Sequence, residues 1–252
     1  MIWDQLTSPA LAKLDRSIPV ILPIAATEQH GPHLPLATDR MIAEHFMKQL
    51  NERLPESVLV LPTVQVGCSE HHMDFAGSLT LTHETYMRQL NELLESVAKH
   101  GFTNLVIFNS HGGNIAIGQV VLEAFGSRHP NCQIVMMTWW QTASTNLLEL
   151  STTGPGGIGH AGEFETSLML HIAPHLVDRT AIMGKQNQPT YFWAEGDMLR
   201  KGQATIYRSI LAMTPNGVYG DPTSASADKG KAITQIVLAA AEKIITSLHT
   251  NY

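Results

Sequence analysis

The chain has 252 residues, of which 44% are apolar and 15% charged, and its formal net charge is −6. This composition excludes a disordered or strongly charged chain, and the negative balance argues against a nucleic-acid surface. At about 150 residues per domain the length suits one large α/β domain or two small ones, and either buries a sizeable core.

Four short runs bounded by breakers read as strands: 19–25 (PVILPIA), 58–66 (VLVLPTVQV), 105–108 (LVIF) and 134–138 (IVMMT). They are apolar on both alternations, as strands covered on two faces are. Helical patterns lie between them. Residues 38–53 carry Ile42, Phe46 and Leu50 at helical spacing, 83–100 carry Tyr86, Leu90, Leu93, Leu94 and Val97, and 115–127 follow Asn114 as an N-cap. Residues 151–162 (STTGPGGIGHAG) are too glycine-rich for a core element and read as a mobile loop before the apolar helix 168–172. The stretch 183–220 holds Tyr191, Phe192, Trp193 and Tyr207 without clear period, as an excursion that packs on a neighbouring subunit would. A last helix, 225–248, has a capping-box-like start and an Ile233, Val237, Ala240, Ile244 stripe. Strands alternating with helices predict an α/β fold: a mostly parallel sheet with helices on both faces. No apolar run reaches the ~18 residues of a membrane span. Cys68 and Cys132 make no disulfide framework, and with no N-terminal signal pattern they are expected as reduced thiols in the cytoplasm.

The chain carries 13 histidines against 16 lysines and arginines, and histidine is both the commonest metal ligand and the usual proton shuttle. The first strand runs into Glu28 and His30, two residues apart and so on one side of extended backbone. Gly-Pro and Leu-Pro turns then fold the chain back so that Asp39, at the next helix start, joins them. That set of oxygen and nitrogen donors suits Zn, Mn or Fe, and open α/β sheets hold ligands at the carboxyl ends of their strands. A solvated pair at a strand end is the plain alternative. The third strand ends at His111, read as a further ligand, beside Gly112 and Gly113, whose backbone can approach a substrate closely. His72, after the second strand, and Trp139, after the fourth, are candidate substrate contacts; His33 is a candidate support for the ligands. The glycine-rich loop ends in His160, a candidate acid/base, followed by Glu163 and Glu165. These two acids cannot share a helical face: Glu165 is the candidate metal ligand and Glu163 a candidate catalytic group, with the reverse choice of ligand left open. His45, His83, His100, His129, His171, His175 and His249 fall in helices or termini and are read as surface or packing residues.

Four motifs, in order, resemble the creatininase family of metal-dependent amidohydrolases: Glu-Gln-His-Gly-Pro-His-Leu-Pro-Leu-x-Thr-Asp at 28–39, Asn-x-His-Gly-Gly-Asn at 109–114, His-Ala-Gly-x-x-Glu-Thr-Ser at 160–167 and Gly-Val-x-Gly-Asp-Pro at 217–222. The resemblance spans nearly the whole chain. It implies a single domain over 1–252, two divalent ions per subunit and commonly a hexamer. It makes Glu28, His30, Asp39 and His111 metal ligands, with Asp39 as the bridge, and gives His160 the proton transfer. Creatinine-hydrolysing members carry a glutamate where this chain has Gly113, and a tryptophan shortly before the loop histidine, where 154–159 has no aromatic. Glu165 is expected in place of that glutamate.

The expected chemistry is hydrolysis of a non-peptide C–N bond by hydroxide bridging the two ions, with His160 protonating the leaving nitrogen. A cyclic or linear small-molecule amide is the expected substrate, with a formamide on a pyrimidine precursor or a cofactor-precursor peptide as alternatives. A different class, a non-catalytic metal- or anion-binding module, is separable by metal stoichiometry. A nicotinamide enzyme is disfavoured because the glycine fingerprint is missing after the first strand.

Overall fold

A computed structural model describes residues 1–248; His249 lies outside the described residues. The sheet contains four parallel strands in the order β2-β1-β3-β4, where β1 is Val20–Ile24, β2 Leu59–Val60, β3 Asn104–Asn109 and β4 Gln133–Thr138. Val20 pairs with both Leu59 and Leu105, and Asn104 pairs with Gln133. Alternate residues serve different cores. Ile21, Val106 and Phe108 face one cluster, whereas Val20, Leu22, Ile24, Leu105 and Ile107 face the other. This explains why the strands read as continuous apolar runs.

Five helices cover the sheet: α1 Thr38–Arg53, α2 His83–Lys99, α3 Ile115–Arg128, α4 Glu163–Ile172 and α5 Ala227–Ser247. Helices α1, α4 and α5 bury their apolar stripes in the first cluster, and α2 and α3 in the second. Thr82 and Ser226 cap α2 and α5 by accepting from Thr85 N and Lys229 N. Helices α4 and α5 pack closely because position 230 has no side chain; a Cβ on Gly230 would lie 2.1 Å from the Ser167 carbonyl.

Several expectations are corrected by tertiary context. The run 58–66 contributes only Leu59–Val60 as regular strand. It rejoins β1 at Val64, whose N–H donates to the Pro23 carbonyl and whose carbonyl accepts from Ala25 N, both at 2.9 Å. Pro23 sits inside the sheet for the same reason: the side on which it lacks an N–H faces this interruption of the ladder. Asn114 makes no cap to α3. Its buried amide instead accepts from Cys68 N and donates to the Ala25 carbonyl, each at 3.1 Å, tying the ends of two strands together. Trp139 is core rather than a substrate contact: it is fully buried, with its ring 6.1 Å from Phe46 and edge-on to Trp140 at 5.2 Å.

The segment 183–220 is largely irregular, with a 3-10 turn at Phe192–Ala194 and a short helix at Ile210–Met213, and leaves Phe192 78% exposed. No helix among the described residues is long and apolar enough to cross a membrane. Because the strands are parallel, the segments after β1, β2 and β3 emerge at one edge, carrying Glu28 and His30, His72, and His111 respectively.

Candidate metal centre

Beyond β1 the chain turns at Gly31, with φ +65°, and doubles back so that Glu28 N donates to the Leu36 carbonyl at 3.0 Å. This hairpin brings the first turn of α1 under Glu28. Asp39 then lies between two histidines: Oδ1 is 3.3 Å from His30 Nε2 and Oδ2 is 3.1 Å from His111 Nδ1. Oε1 of Glu28 is 3.3 Å from His111 Nδ1, 3.2 Å from His72 Nε2 and 3.5 Å from His160 Nδ1. Glu165, in the first turn of α4, closes the other side, with Oε2 3.8 Å from His30 Nε2.

The carboxylates Glu28, Asp39 and Glu165 are 0%, 2% and 3% exposed, and among the described residues no lysine or arginine pairs with them. Buried carboxylates without positive partners are costly by several kcal/mol each, so the cluster demands cations. The imidazoles respond to that field. Burial opposes a charge on His30, but Asp39, then Glu165 and Glu28, outweigh it and raise its pKa to about 9. Burial, with Asp39 adding to it, lifts Glu165 to about 7 despite the opposing pull of His30. His72 and His160 go the other way, lowered by burial and then by neighbouring imidazoles.

The donor set fits divalent metal on a direct observation. Both Glu28 carboxylate oxygens, His30 Nε2 and Asp39 Oδ2 are buried with no hydrogen-bond partner. Glu28, Asp39 and His111 form one group whose ligand atoms lie within 4.8 Å of one another, and His30, His160 and Glu165 form another. The supporting hydrogen bonds fix the tautomers. His30 Nδ1 donates to the Glu28 carbonyl at 3.1 Å, His111 Nε2 to the Cys68 carbonyl at 3.1 Å and His160 Nε2 to the Gln29 carbonyl at 2.7 Å. Each therefore turns its other ring nitrogen into the centre, the one a metal ion would take. His72 is arranged oppositely. Gln29 accepts from Gly31 N through Oε1, so its amide nitrogen donates to His72 Nδ1 at 2.9 Å, and the other ring nitrogen of His72 faces Glu28.

Glu163 does not reach this cluster. It accepts from Thr152 N and Oγ1, from Thr153 N and from Lys229 Nζ. The glycine-rich loop expected to be mobile is thereby pinned to α5, and its far end is held by the bridge between His160 and Tyr219. At Ala161 the backbone takes φ +53° and donates its N–H to Glu165 Oε2 at 2.6 Å. His33, as a support, bonds Thr166 Oγ1 at 2.9 Å. Gly112 is open to a cavity of about 580 Å³ that His160 also lines, whereas Gly113 is packed: a Cβ there would lie 2.1 Å from the Cys68 carbonyl. A Cβ at 113 would also lie 2.5 Å from His111 Nε2, so the position has no room for a side chain. Two positioning residues, Gln29 and Asn109, escape the sequence reading. Asn109 braces His111, accepting from its N at 3.0 Å and donating to its carbonyl at 2.8 Å. Their position inside the two histidine motifs was the available signal.

A family model described as creatininase, creatinine amidohydrolase, matches residues 4–245. The chain belongs to the creatininase family. The mycofactocin precursor peptide peptidase of Mycobacterium tuberculosis is 33% identical, over 92% of this chain and 86% of its own. The creatinine amidohydrolase of Pseudomonas putida is 26% identical, over 86% of this chain and 84% of its own. A solved creatininase in its Mn form shares the fold, with a TM-score of 0.82 at 22% identity over 98% of this chain and 97% of that one.

Proposed function

We propose that this creatininase-family hydrolase cleaves a non-peptide C–N bond of a small molecule, a cyclic or linear amide. The observation that carries the reading is Asp39, whose two oxygens face different histidines inside a buried cluster of unpartnered acceptors. Glu28, Asp39 and His111 would hold one divalent ion, and His30, Asp39 and Glu165 a second, as Zn, Mn or Fe. Bound there, the ions supply Lewis acidity toward the amide carbonyl and the attacking water. His160 presents Nδ1 to the reacting atoms while Nε2 stays tied to the Gln29 carbonyl, so it takes a proton and passes it to the leaving nitrogen. The Gln29 carbonyl orients His160, and its side-chain amide orients His72 beside Glu28. The pinned loop, through Gly159 and His160, forms one wall of the cavity.

Peptide-bond cleavage in a cofactor precursor is the second reading, favoured by the 33% identity to a precursor peptidase. Protein of measured metal content, assayed against formamides, cyclic ureides and short peptides, tests both. We expect turnover of a small amide that chelation abolishes and added Mn or Zn restores. Turnover unchanged after verified metal loss contradicts the proposal. Exposed Tyr191, Phe192 and Tyr207 suit a homo-oligomeric contact such as that of a hexamer, and the free Cys68 and Cys132 suit the cytoplasm.

A further inference from the structure

The cavity beside His160 has a second charged feature. Besides Gly112, His160 and Tyr219, that cavity is lined by Asp197, Arg200, Lys201 and Arg208 from the segment after α4. Asp197 is the one acid among its lining residues, and its carboxylate is spent. It accepts from Gly156 N at 2.9 Å, Leu199 N at 3.0 Å, Arg200 N at 2.9 Å and Arg200 Nη1 at 2.8 Å. Arg200 is thus neutralised, while Lys201 and Arg208 have no ion-pair partner among the described residues. Arg208 is held in place by a hydrogen bond from Nη2 to the Ala212 carbonyl, which leaves further guanidinium N–H groups to bond. Two uncompensated cations therefore face the cavity in a protein whose formal net charge is −6. A concave site lined by one sign of charge focuses its field on a ligand of the opposite sign, and a guanidinium matches a carboxylate or phosphate in geometry.

We propose that the substrate carries an anionic group, a carboxylate or a phosphate monoester, seated between Lys201 and Arg208 while its amide lies against His160. The inference rests on the amidohydrolase reading for the inner end of the cavity. It adds a specificity that the metal centre alone does not provide.

Calorimetric titration of the metal-loaded protein with benzoate, phenyl phosphate and neutral benzyl alcohol tests it without turnover. We expect at least one anion to bind about tenfold or more tightly than benzyl alcohol. The double substitution Lys201→Met, Arg208→Met should erase that preference, and Arg208→Lys alone should retain most of it, with metal content per chain the same in all three proteins. The tighter of the two anions assigns the group as carboxylate or phosphate. Equal binding of anions and benzyl alcohol overturns the proposal. So does a preference that survives the double substitution, because the anion then sits on the metal ions. Anion preference in a protein that hydrolyses no amide contradicts the hydrolase reading and leaves the anion site standing.

Discussion

Oδ2 of Asp39, in the first turn of α1, lies 3.1 Å from Nδ1 of His111, the second residue after β3. The contact joins two segments far apart in the chain, and it exists because the sheet is parallel and delivers both to one edge. From it follow the geometry of the centre and most of its expected behaviour.

His160 lies within reach of both ligand groups, but its assigned work is proton transfer. The substitution His160→Ala should lower turnover by about 10²–10⁴ while metal per chain is retained. Turnover and metal content measured on the same preparation check this; loss of metal together with activity would make His160 a ligand instead.

Gln29 is expected to act through its two neighbours. Removing its amide in Gln29→Leu frees His72 to change tautomer and swing from Glu28. We expect kcat to fall roughly tenfold, the scale of a lost supporting hydrogen bond, with KM and metal content little changed. A rise confined to KM would show instead that Gln29 contacts substrate.

Position 113 should tolerate no side chain. In Gly113→Ala the new Cβ meets the Cys68 carbonyl at 2.1 Å and His111 Nε2 at 2.5 Å, so backbone must move at a metal ligand. A cost of about 1–3 kcal/mol is expected, read as a lower melting temperature and weaker metal retention. An unperturbed melting temperature would show that the backbone after β3 has slack.

The sequence makes the ends of β1, β3 and β4 legible, and with them Glu28, His30, Asp39 and His111, because alternation of apolar strands and helices already implies one crowded edge; β2, expected to run to 66, stops at Val60. It also shows that Glu163 and Glu165 must diverge, being two residues and about 200° apart on a helix. Which of them faces the centre depends on contacts remote in sequence. Thr152, Thr153 and Lys229 capture Glu163, and Ala161 N captures Glu165. Trp139 was legible as following a strand, but whether its ring turns toward the edge or into the core depends on its packing against Phe46. Asn114 carried a cap-like sequence signal, yet two backbone groups, Cys68 N and the Ala25 carbonyl, won its amide.

Stability should vary with pH through a group remote from the centre. His45, on α1, is lowered from 6.5 to about 4 by burial, then by His171 and Lys48, and it bonds Thr234 Oγ1 on α5. The unfolded chain therefore binds this proton more readily, so the stability it contributes is complete above pH 6.5 and is lost as pH falls from there toward 4. Denaturant titrations across that window should show a shallower acid loss for His45→Gln than for the parent. Parallel curves would mean that His45 is not buried in solution.

The central claim is a two-ion centre bridged by Asp39, and metal stoichiometry tests it most directly. Protein saturated with Mn or Zn, freed of excess and analysed by mass spectrometry for metal per chain, should hold two ions. In Asp39→Asn it should hold one or none. Saturated parent protein that binds a single ion, or an Asp39→Asn protein that still binds two, would contradict the account.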